Sequence, residues 1–305
     1  MASQERSMPF IKNLASSDRK IRTSALASLH AFLSARQVAS ALTPLDTLKL
    51  WKGLFFALWM CDRAIPQQNL CNELADLIFV LPHDAVSTWL RGFWATMARE
   101  WTSIDVLRME KFLLLVRRVV GAGFKWMRKG QGNSNEGSKK KGKGKSLGES
   151  AWDASKVDKL VGLLGEWPLA LEDEAQITPP GAEGAESGET GKEDAAADVK
   201  DSQIRQKIPA GLRLHVLDVW VDEAEKAGLL DEEDEEAKQI VQRISDQIDA
   251  LEEATTSPAV QMRSKESLAD DRLPGNAKPV AEAEQGNNDG RGGQDDDGDW
   301  DGFDD

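Results

Sequence analysis

The sequence of 305 residues contains no tyrosine, only two cysteines and only three histidines. Two thiols provide no disulfide framework, which favours a reducing compartment. The first residues lack the apolar core of a secretory signal, and the longest mostly apolar stretch, 54–60, is too short to cross a bilayer. We therefore expect a soluble intracellular protein whose fold does not depend on disulfides.

Sequence patterns of catalysis are equally scarce. His30, His83 and His215 are far apart and belong to no HExxH set, so each is read as a structural side chain. Cys61 and Cys71 have no second cysteine pair, which argues against zinc. The glycines offer neither a phosphate-binding loop between a strand and a helix nor a GxSxG elbow. The sequence predicts no enzyme, no cofactor and no metal site.

Charge divides the chain into two unlike halves. Residues 1–129 carry 18 Lys/Arg against 10 Asp/Glu, a net charge of +8; the whole chain is −14, so the remainder carries −22. A basic front joined to an acidic rear indicates nucleic-acid contact at one end and an interaction tail at the other.

Apolar residues recur at helical spacing over most of the chain. Thr43-Pro44 is typical of a helix start, and Trp51, Phe55 and Leu58 then share one face. No stretch alternates with the period of two that a half-buried strand shows. These patterns predict an all-α fold of antiparallel helical hairpins with short connections. A HEAT-like solenoid is compatible with them, although no sequence period is strong enough to assert one.

Composition then sets the predicted domain organisation. Gly, Ser and Lys dominate residues 130–150, and Glu, Ala, Gly and Pro dominate residues 172–201, so neither segment has the residues for a core. The predicted parts are an N-terminal helical domain (1–129), a basic flexible linker (130–150), further helices of the same domain interrupted by a disordered acidic insert at about 172–201 (151–253), and a disordered acidic tail (254–305).

Two groups of basic residues are candidates for RNA phosphate contact. One lies at the start of the first predicted helix, which begins near Ser17, and the other lies along and after the fifth predicted helix, at about 104–127. Arginine favours phosphate through its bidentate geometry, but cations in a last helical turn also complement the helix dipole, so a solvated face is an open alternative. The candidates are Arg19, Lys20, Arg22, Arg117, Arg118, Lys125, Arg128 and Lys129.

Two further candidates lie in the low-complexity segments. A lysine run in the linker is typical of nuclear import or nucleic-acid binding, although an incidental solubilising linker would read the same: Lys139, Lys140, Lys141, Lys143 and Lys145. Trp300 and Phe303 stand in the acidic tail, where they have no folding role, and are candidates for docking on a basic partner surface, although a simply solvated tail would read the same. By contrast, Trp51, Trp59, Trp89 and Trp94 fall on apolar helical stripes and are predicted to be core rather than base-stacking residues.

Four blocks of this sequence resemble the ribosomal RNA-processing protein 1 family. They read PFIKNLASSDRKIRTSALASLHAFLS, LKLWKGLFFALWMCDRAIPQQNL, FWATMAREWTSIDVLRMEKFLLLVRRVV and PAGLRLHVLDVWVDEAEKAG. The resemblance covers about residues 9–129 and 152–253. The chain departs from the family in lacking tyrosine and in its shorter acidic C-terminal region.

The resemblance implies a nucleolar factor for maturation of large-subunit precursor rRNA. It implies a non-catalytic scaffold within the pre-ribosomal particle, with other large-subunit assembly factors and pre-rRNA as partners and neither a membrane nor a small-molecule substrate. Two alternatives stay open. One is a nuclear protein–protein adaptor without RNA contact, in which Arg117 and Arg118 would not lie on an exposed face. The other is a nuclear enzyme, which would need a concave pocket of perturbed titratable groups.

Overall fold

A computed structural model describes residues 10–131, 150–177 and 204–276. These residues form α1 (Phe10–Leu14), α2 (Arg19–Ser34), α3 (Arg36–Ala39), α4 (Pro44–Trp59), α5 (Ala64–Val80), α6 (Val86–Glu100), a 3₁₀ turn (Trp101–Ser103), α7 (Val106–Trp126), α8 (Ala154–Glu166), β1 (Glu174–Ile177), β2 (Ile204–Lys207), α9 (Ala210–Ala227), α10 (Glu235–Ala254) and α11 (Pro258–Leu268).

Local chemistry accounts for where the main helices begin and end. Thr43 and Asp46 form a reciprocal capping box before α4, with Pro44 in the first helical position. Aspartate caps the starts of α2, α7, α8 and α10 by accepting backbone N–H bonds. Gly228 ends α9 at φ +76°, a left-handed conformation that glycine adopts without strain.

The helices pack as two rows. One row runs α1, α4, α6, α8, α10, and the other runs α2, α5, α7, α9, α11; each helix contacts its neighbours in its own row. Consecutive helices along the chain alternate between the rows through most of the stack, as in helical-hairpin repeats. The prediction of an all-α, solenoid-like fold is confirmed.

Aromatic side chains pack both within one row and between the rows. Trp51 of α4 lies 4.9 Å from Trp89 and from Phe93 of α6, measured between ring centroids, and its indole N–H donates to the Trp89 carbonyl at 2.9 Å. Phe55 stacks on Phe112 of α7 at 4.4 Å. Trp51, Trp89 and Trp94 are buried and Trp59 is half-buried, so the prediction that these tryptophans belong to the core is confirmed.

A short antiparallel ladder was not expected from the sequence. β1 pairs with β2 in the register Glu174↔Lys207 to Ile177↔Ile204, and both strands pack against α6. The ladder includes residues 174–177, which the composition assigned to the acidic insert. Pairing between residues 27 to 33 positions apart leaves no local signal when neither strand alternates strongly. The ladder brings the two ends of the insert to one place on the surface.

The end of the described chain also differs from the prediction. Residues 254–305 read as a disordered tail, whereas 258–268 form α11. Val260 is buried, and Ser267 accepts from the Trp220 indole at 2.6 Å and donates to the Leu217 carbonyl at 2.9 Å. Polar contacts of Ser267 therefore help to dock this helix, and an apolar stripe does not reveal them.

Two apolar residues of α7 are exposed. Leu107 fits the helical spacing of the apolar residues of this helix, but it is 93% exposed, and Val106 is 88% exposed. Both residues lie in the first turn of α7, after the N-cap Asp105. The helical stripe that reaches the core begins only at Phe112 and Leu115.

Candidate functional site

The first basic group divides between exposed and structural residues. Arg19 and Lys20 are exposed at the start of α2, where Asp18 accepts the Lys20 backbone N–H. Arg22 instead donates to the Ser16 and Ser17 carbonyls, both at 2.8 Å, and to the Met60 carbonyl at 3.2 Å. Arg22 therefore ties the start of α2 to the end of α4.

Arg117 bridges two helices through an ion-pair network. Its Nε donates to Glu223 at 2.7 Å and its Nη2 donates to Asp222 at 2.9 Å, both on α9. Glu223 is 2% exposed and also accepts from Lys226 at 2.8 Å, while Arg272 donates to Asp222 at 3.0 Å. Burial acts to lower the pKa of Arg117, but the hydrogen bonds from Glu223 and Asp222 outweigh it and raise that pKa. Two guanidinium donors of Arg117 are thus already engaged within the fold.

The sequence alone does not reveal the partners of Arg117. Asp222 and Glu223 are more than 100 residues away in the chain. One local signal was available, because Glu223 stands between Val221 and Ala224 on the buried side of α9. A carboxylate in that position needs a cation from a neighbouring helix.

Arg118 is half-buried, and within the described residues its buried Nε has no hydrogen-bond partner. Its charge acts on the Cys71 thiol of α5. Burial raises the pKa of Cys71 to about 12, and the nearby Cys61 thiol adds to that rise. Both cysteines are free and buried, and the Cys71 thiol donates to the Lys111 carbonyl at 3.4 Å.

The second basic group lies at the end of α7. Arg128 donates to the Ala227 carbonyl through Nε at 2.9 Å and Nη2 at 2.6 Å, and its guanidinium lies 4.7 Å from the Trp152 ring. It therefore caps the C-terminus of α9, where a cation complements the helix dipole. Lys125 and Lys129 are exposed.

The structure does not bring the two basic groups together. Arg22 contacts the Met60 carbonyl, and Lys111 near the start of α7 donates to the Trp59 and Cys61 carbonyls at 2.8 and 3.0 Å. The first group therefore lies beside the start of α7. Lys125 lies about 20 Å further along that helix, given 1.5 Å per residue. The exposed members form two separate surfaces.

Three cations that are buried within the described residues, Lys111, Lys156 and Arg213, donate to backbone carbonyls. Burial lowers the pKa of Lys111, which caps the end of α4 as described above. Arg213 is 2% exposed and donates to the Ala170 and Glu172 carbonyls, both at 2.5 Å. It therefore fixes the chain between α8 and β1 against α9.

The histidines occupy unlike environments. The His83 ring stacks on Trp126 at 5.4 Å, and its Nδ1 lies 2.9 Å from the Lys159 Nζ. His215 donates from Nε2 to the Leu113 carbonyl at 2.8 Å. Burial lowers the pKa of both rings. His30 is exposed on α2.

Residues 10–131, 150–177 and 204–276 contain no group of His, Cys, Asp and Glu side chains that could hold a metal ion. Among the helices of those same ranges, none combines the length and hydropathy needed to cross a membrane. The lysine run 139–145 and the tail residues Trp300 and Phe303 lie outside the described residues, so their predicted roles stay predictions.

The fold and the surface define the class of this protein, which is a helical protein built from two stacked rows. Some of its basic side chains donate hydrogen bonds within the fold, and others form two exposed groups. The family described as nucleolar protein Nop52 matches residues 5–178 and 197–301. The chain belongs to this family. The resemblance found in the sequence blocks is confirmed.

Individual relatives carry matching names. The human protein named ribosomal RNA processing protein 1 homolog B is 25% identical over 230 residues, which cover 74% of this chain and 23% of that protein. Mouse homolog A is 27% identical over 220 residues, covering 71% of this chain and 34% of that protein. Human homolog A is 36% identical over 117 residues, covering 37% of this chain and 25% of that protein. The chain thus spans about a quarter to a third of the length of these relatives.

Proposed function

We propose that this protein is a non-catalytic scaffold factor in nucleolar assembly of the large ribosomal subunit and in processing of its precursor rRNA. It would work inside the pre-ribosomal particle, in the nucleus and nucleolus, by holding other assembly factors and pre-rRNA. The observation that carries the proposal is the family match over most of the chain, which the names of the relatives connect with rRNA processing.

The described fold suits a scaffold. A two-row stack of helices exposes long helix faces on both sides, which offers extended surfaces for partners rather than a single enclosed site. Its buried cations Lys111 and Arg213 donate to carbonyl groups of the chain itself. The half-buried Arg117 donates to carboxylates of α9. Such groups stabilise the stack, and this supports a binding role over catalysis.

Direct contact with pre-rRNA would fall to the exposed cations. Arg19 and Lys20 form one surface, and Lys125 and Lys129 form the other. Their charges are available to phosphate, whereas Arg22, Arg117 and Arg128 already donate to groups within the fold. We therefore assign phosphate contact to these four side chains first.

A second candidate function is a nuclear protein–protein adaptor without RNA contact. The internal use of Arg117 favours it, since that residue lies in an ion-pair network rather than on an open basic face. Arg118 is also only half-exposed. The adaptor and the RNA-contacting scaffold differ in one observable, the attachment of precursor RNA.

In-cell crosslinking of the tagged chain separates these functions. We expect sequencing of attached RNA to give reads concentrated in large-subunit precursor rRNA, and mass spectrometry to give peptides of assembly factors. Assembly-factor crosslinks without precursor reads would establish the adaptor instead. Absence of both would refute a role in ribosome assembly.

A matched pair of variants tests the phosphate surface. Lys125→Glu with Lys129→Glu should weaken binding of the purified chain to a large-subunit precursor transcript, and losing two single-strand contacts should reduce the log–log salt slope by about 1.4. Lys12→Glu with Lys52→Glu changes the net charge equally at exposed positions outside the candidate groups. Equal effects of the two pairs would show that only overall charge matters.

A further inference from the structure

An open groove runs between α2 and α5, at the edge of the stack. Its volume is about 600 Å³. Leu70, Leu74 and Leu77 of α5 form its buried base. Partly exposed apolar surface comes from Leu26 of α2 and from Pro66 and Val80 of α5, and Ala27 stands exposed at the rim. The residues of α2 from Arg22 to His30 span about 12 Å, at 1.5 Å per residue. This length matches about two turns of a helix.

The groove carries opposite charges along its length. Arg19 and Arg22 line one end, beside the start of α5, because Arg22 donates to the Met60 carbonyl four residues before Ala64. Glu73 and Asp76 line the groove about 14 to 18 Å further along α5, given the rise per residue. Among the groove's own lining residues, one end is therefore cationic and the other is anionic, while the charge of Lys125 on α7 acts on Asp76 from outside the lining.

We infer that this groove binds an amphipathic helical segment of a partner protein. The segment presents apolar side chains at helical spacing, with an acidic residue at one end and a basic residue at the other. This inference rests on the proposed scaffold function in one respect, that the partner belongs to the same assembly. Helices that lay an apolar face into a groove are a common mode of recognition.

Charge complementarity selects this occupant over two others. The acidic tail DDDGDWDGFDD would bring its carboxylates beside Glu73 and Asp76, where like charges repel. RNA phosphates would be repelled by Glu73 and would leave the apolar lining uncovered. A helical segment with one charge of each sign satisfies both ends and buries the apolar floor.

Site-specific photocrosslinking tests the inference in the full tagged chain. A photoreactive amino acid replaces Ala27 at the groove rim, and in a matched chain it replaces Ser28. Ser28 is also exposed on α2 but lies about 100° further round the helix and does not line the groove. We expect the Ala27 chain, and not the Ser28 chain, to capture one defined segment of another assembly factor with the stated charge and apolar pattern.

The captured segment is then made as a labelled synthetic peptide and titrated with the purified full chain. Ala27→Arg should weaken binding by about tenfold or more, because a long charged side chain at the rim blocks the apolar floor. Ser28→Arg should leave binding unchanged. Alanine and arginine are both good helix formers, so Ala27→Arg should fold, and circular dichroism checks this. Equal affinity of the two variants would overturn the inference.

Other crosslinking outcomes overturn it as well. Capture of the chain's own tail, of RNA or of a second copy would identify a different occupant. Equal capture from Ala27 and Ser28, or none, would show that the groove is not a docking site. Precursor rRNA is measured in the same purification. If precursor rRNA is present but the Ala27 chain captures no segment, only the groove inference is overturned. If both the rRNA and the captured segment are absent, the assembly role is refuted as well.

Discussion

Two Gly→Ala substitutions in helix interiors are expected to have opposite effects on stability. Gly92 lies within α6, where a Cβ would stand 2.8 Å from both Cβ and Oγ1 of Thr47 and 3.2 Å from the Thr47 carbonyl carbon. Thr47 is 1% exposed, and its hydroxyl donates to the Pro44 carbonyl at 2.8 Å. Gly162 lies within α8, and a Cβ there would meet nothing within 4 Å.

The magnitudes follow from two competing terms. In a helix interior, alanine is more favourable than glycine by about 1 kcal/mol, so Gly162→Ala should raise the free energy of unfolding by about that amount. Gly92→Ala gains the same term, but overpacking a buried contact costs roughly 1–3 kcal/mol. The upper end applies here because α4 backbone must also move, which gives a net destabilisation of about 1–2 kcal/mol. The two variants should therefore differ by about 2–3 kcal/mol.

Urea unfolding followed by tryptophan fluorescence measures this difference. The midpoint should rise for Gly162→Ala and fall for Gly92→Ala, with the dependence on urea unchanged in both, which would show that only stability has changed. If Gly92→Ala were as stabilising as Gly162→Ala, α4 and α6 would not approach as closely as the structure shows. That result would refute the packing of the first row.

Three further predictions concern single side chains. Arg128→Ala should lower the free energy of unfolding by about 2 kcal/mol, because hydrogen bonds from a charged group contribute roughly 1.5–3 kcal/mol. The control Lys129→Ala should change it by less than about 0.5 kcal/mol. Similar losses for both variants in urea titrations would contradict the hydrogen bonds from Arg128 to the Ala227 carbonyl. Burial lowers the pKa of His215 below its ordinary value of about 6.5. At a pH above that ordinary value the ring is neutral and its burial stabilises the fold. This stabilisation should be lost as the pH falls through the lowered pKa. Wild type should therefore lose more stability than His215→Gln between neutral and mildly acidic pH, and identical pH profiles would count against a buried neutral ring. With its pKa raised to about 12, the Cys71 thiol should resist alkylation in the folded chain and react in denaturant, as followed by mass spectrometry; rapid labelling of native Cys71 would disprove its burial.

The partition of the arginines bears on the proposed contact with RNA. Arg117 and Arg128 both stand in a basic stretch of sequence, yet both hold α7 against α9. Counting basic residues along α7 would therefore overstate the surface available to phosphate. The exposed lysines beside them, Lys125 and Lys129, are the residues whose replacement separates binding from folding.

Much of the fold was determined by the sequence alone, because helices are local structures. The capping box at Thr43, the aromatic stripe of α4 and the left-handed Gly228 are each set by residues within a few positions of one another. The tertiary structure was needed wherever a partner lies far along the chain. It alone decided that Glu223 neutralises Arg117, that β1 meets β2 and that α11 docks on Trp220. It also decided which residues face water, since Leu107 fits a helical stripe by spacing but lies before the point where α7 reaches the core. Spacing reports the periodicity of a helix, whereas burial and pairing depend on which helices stand beside it.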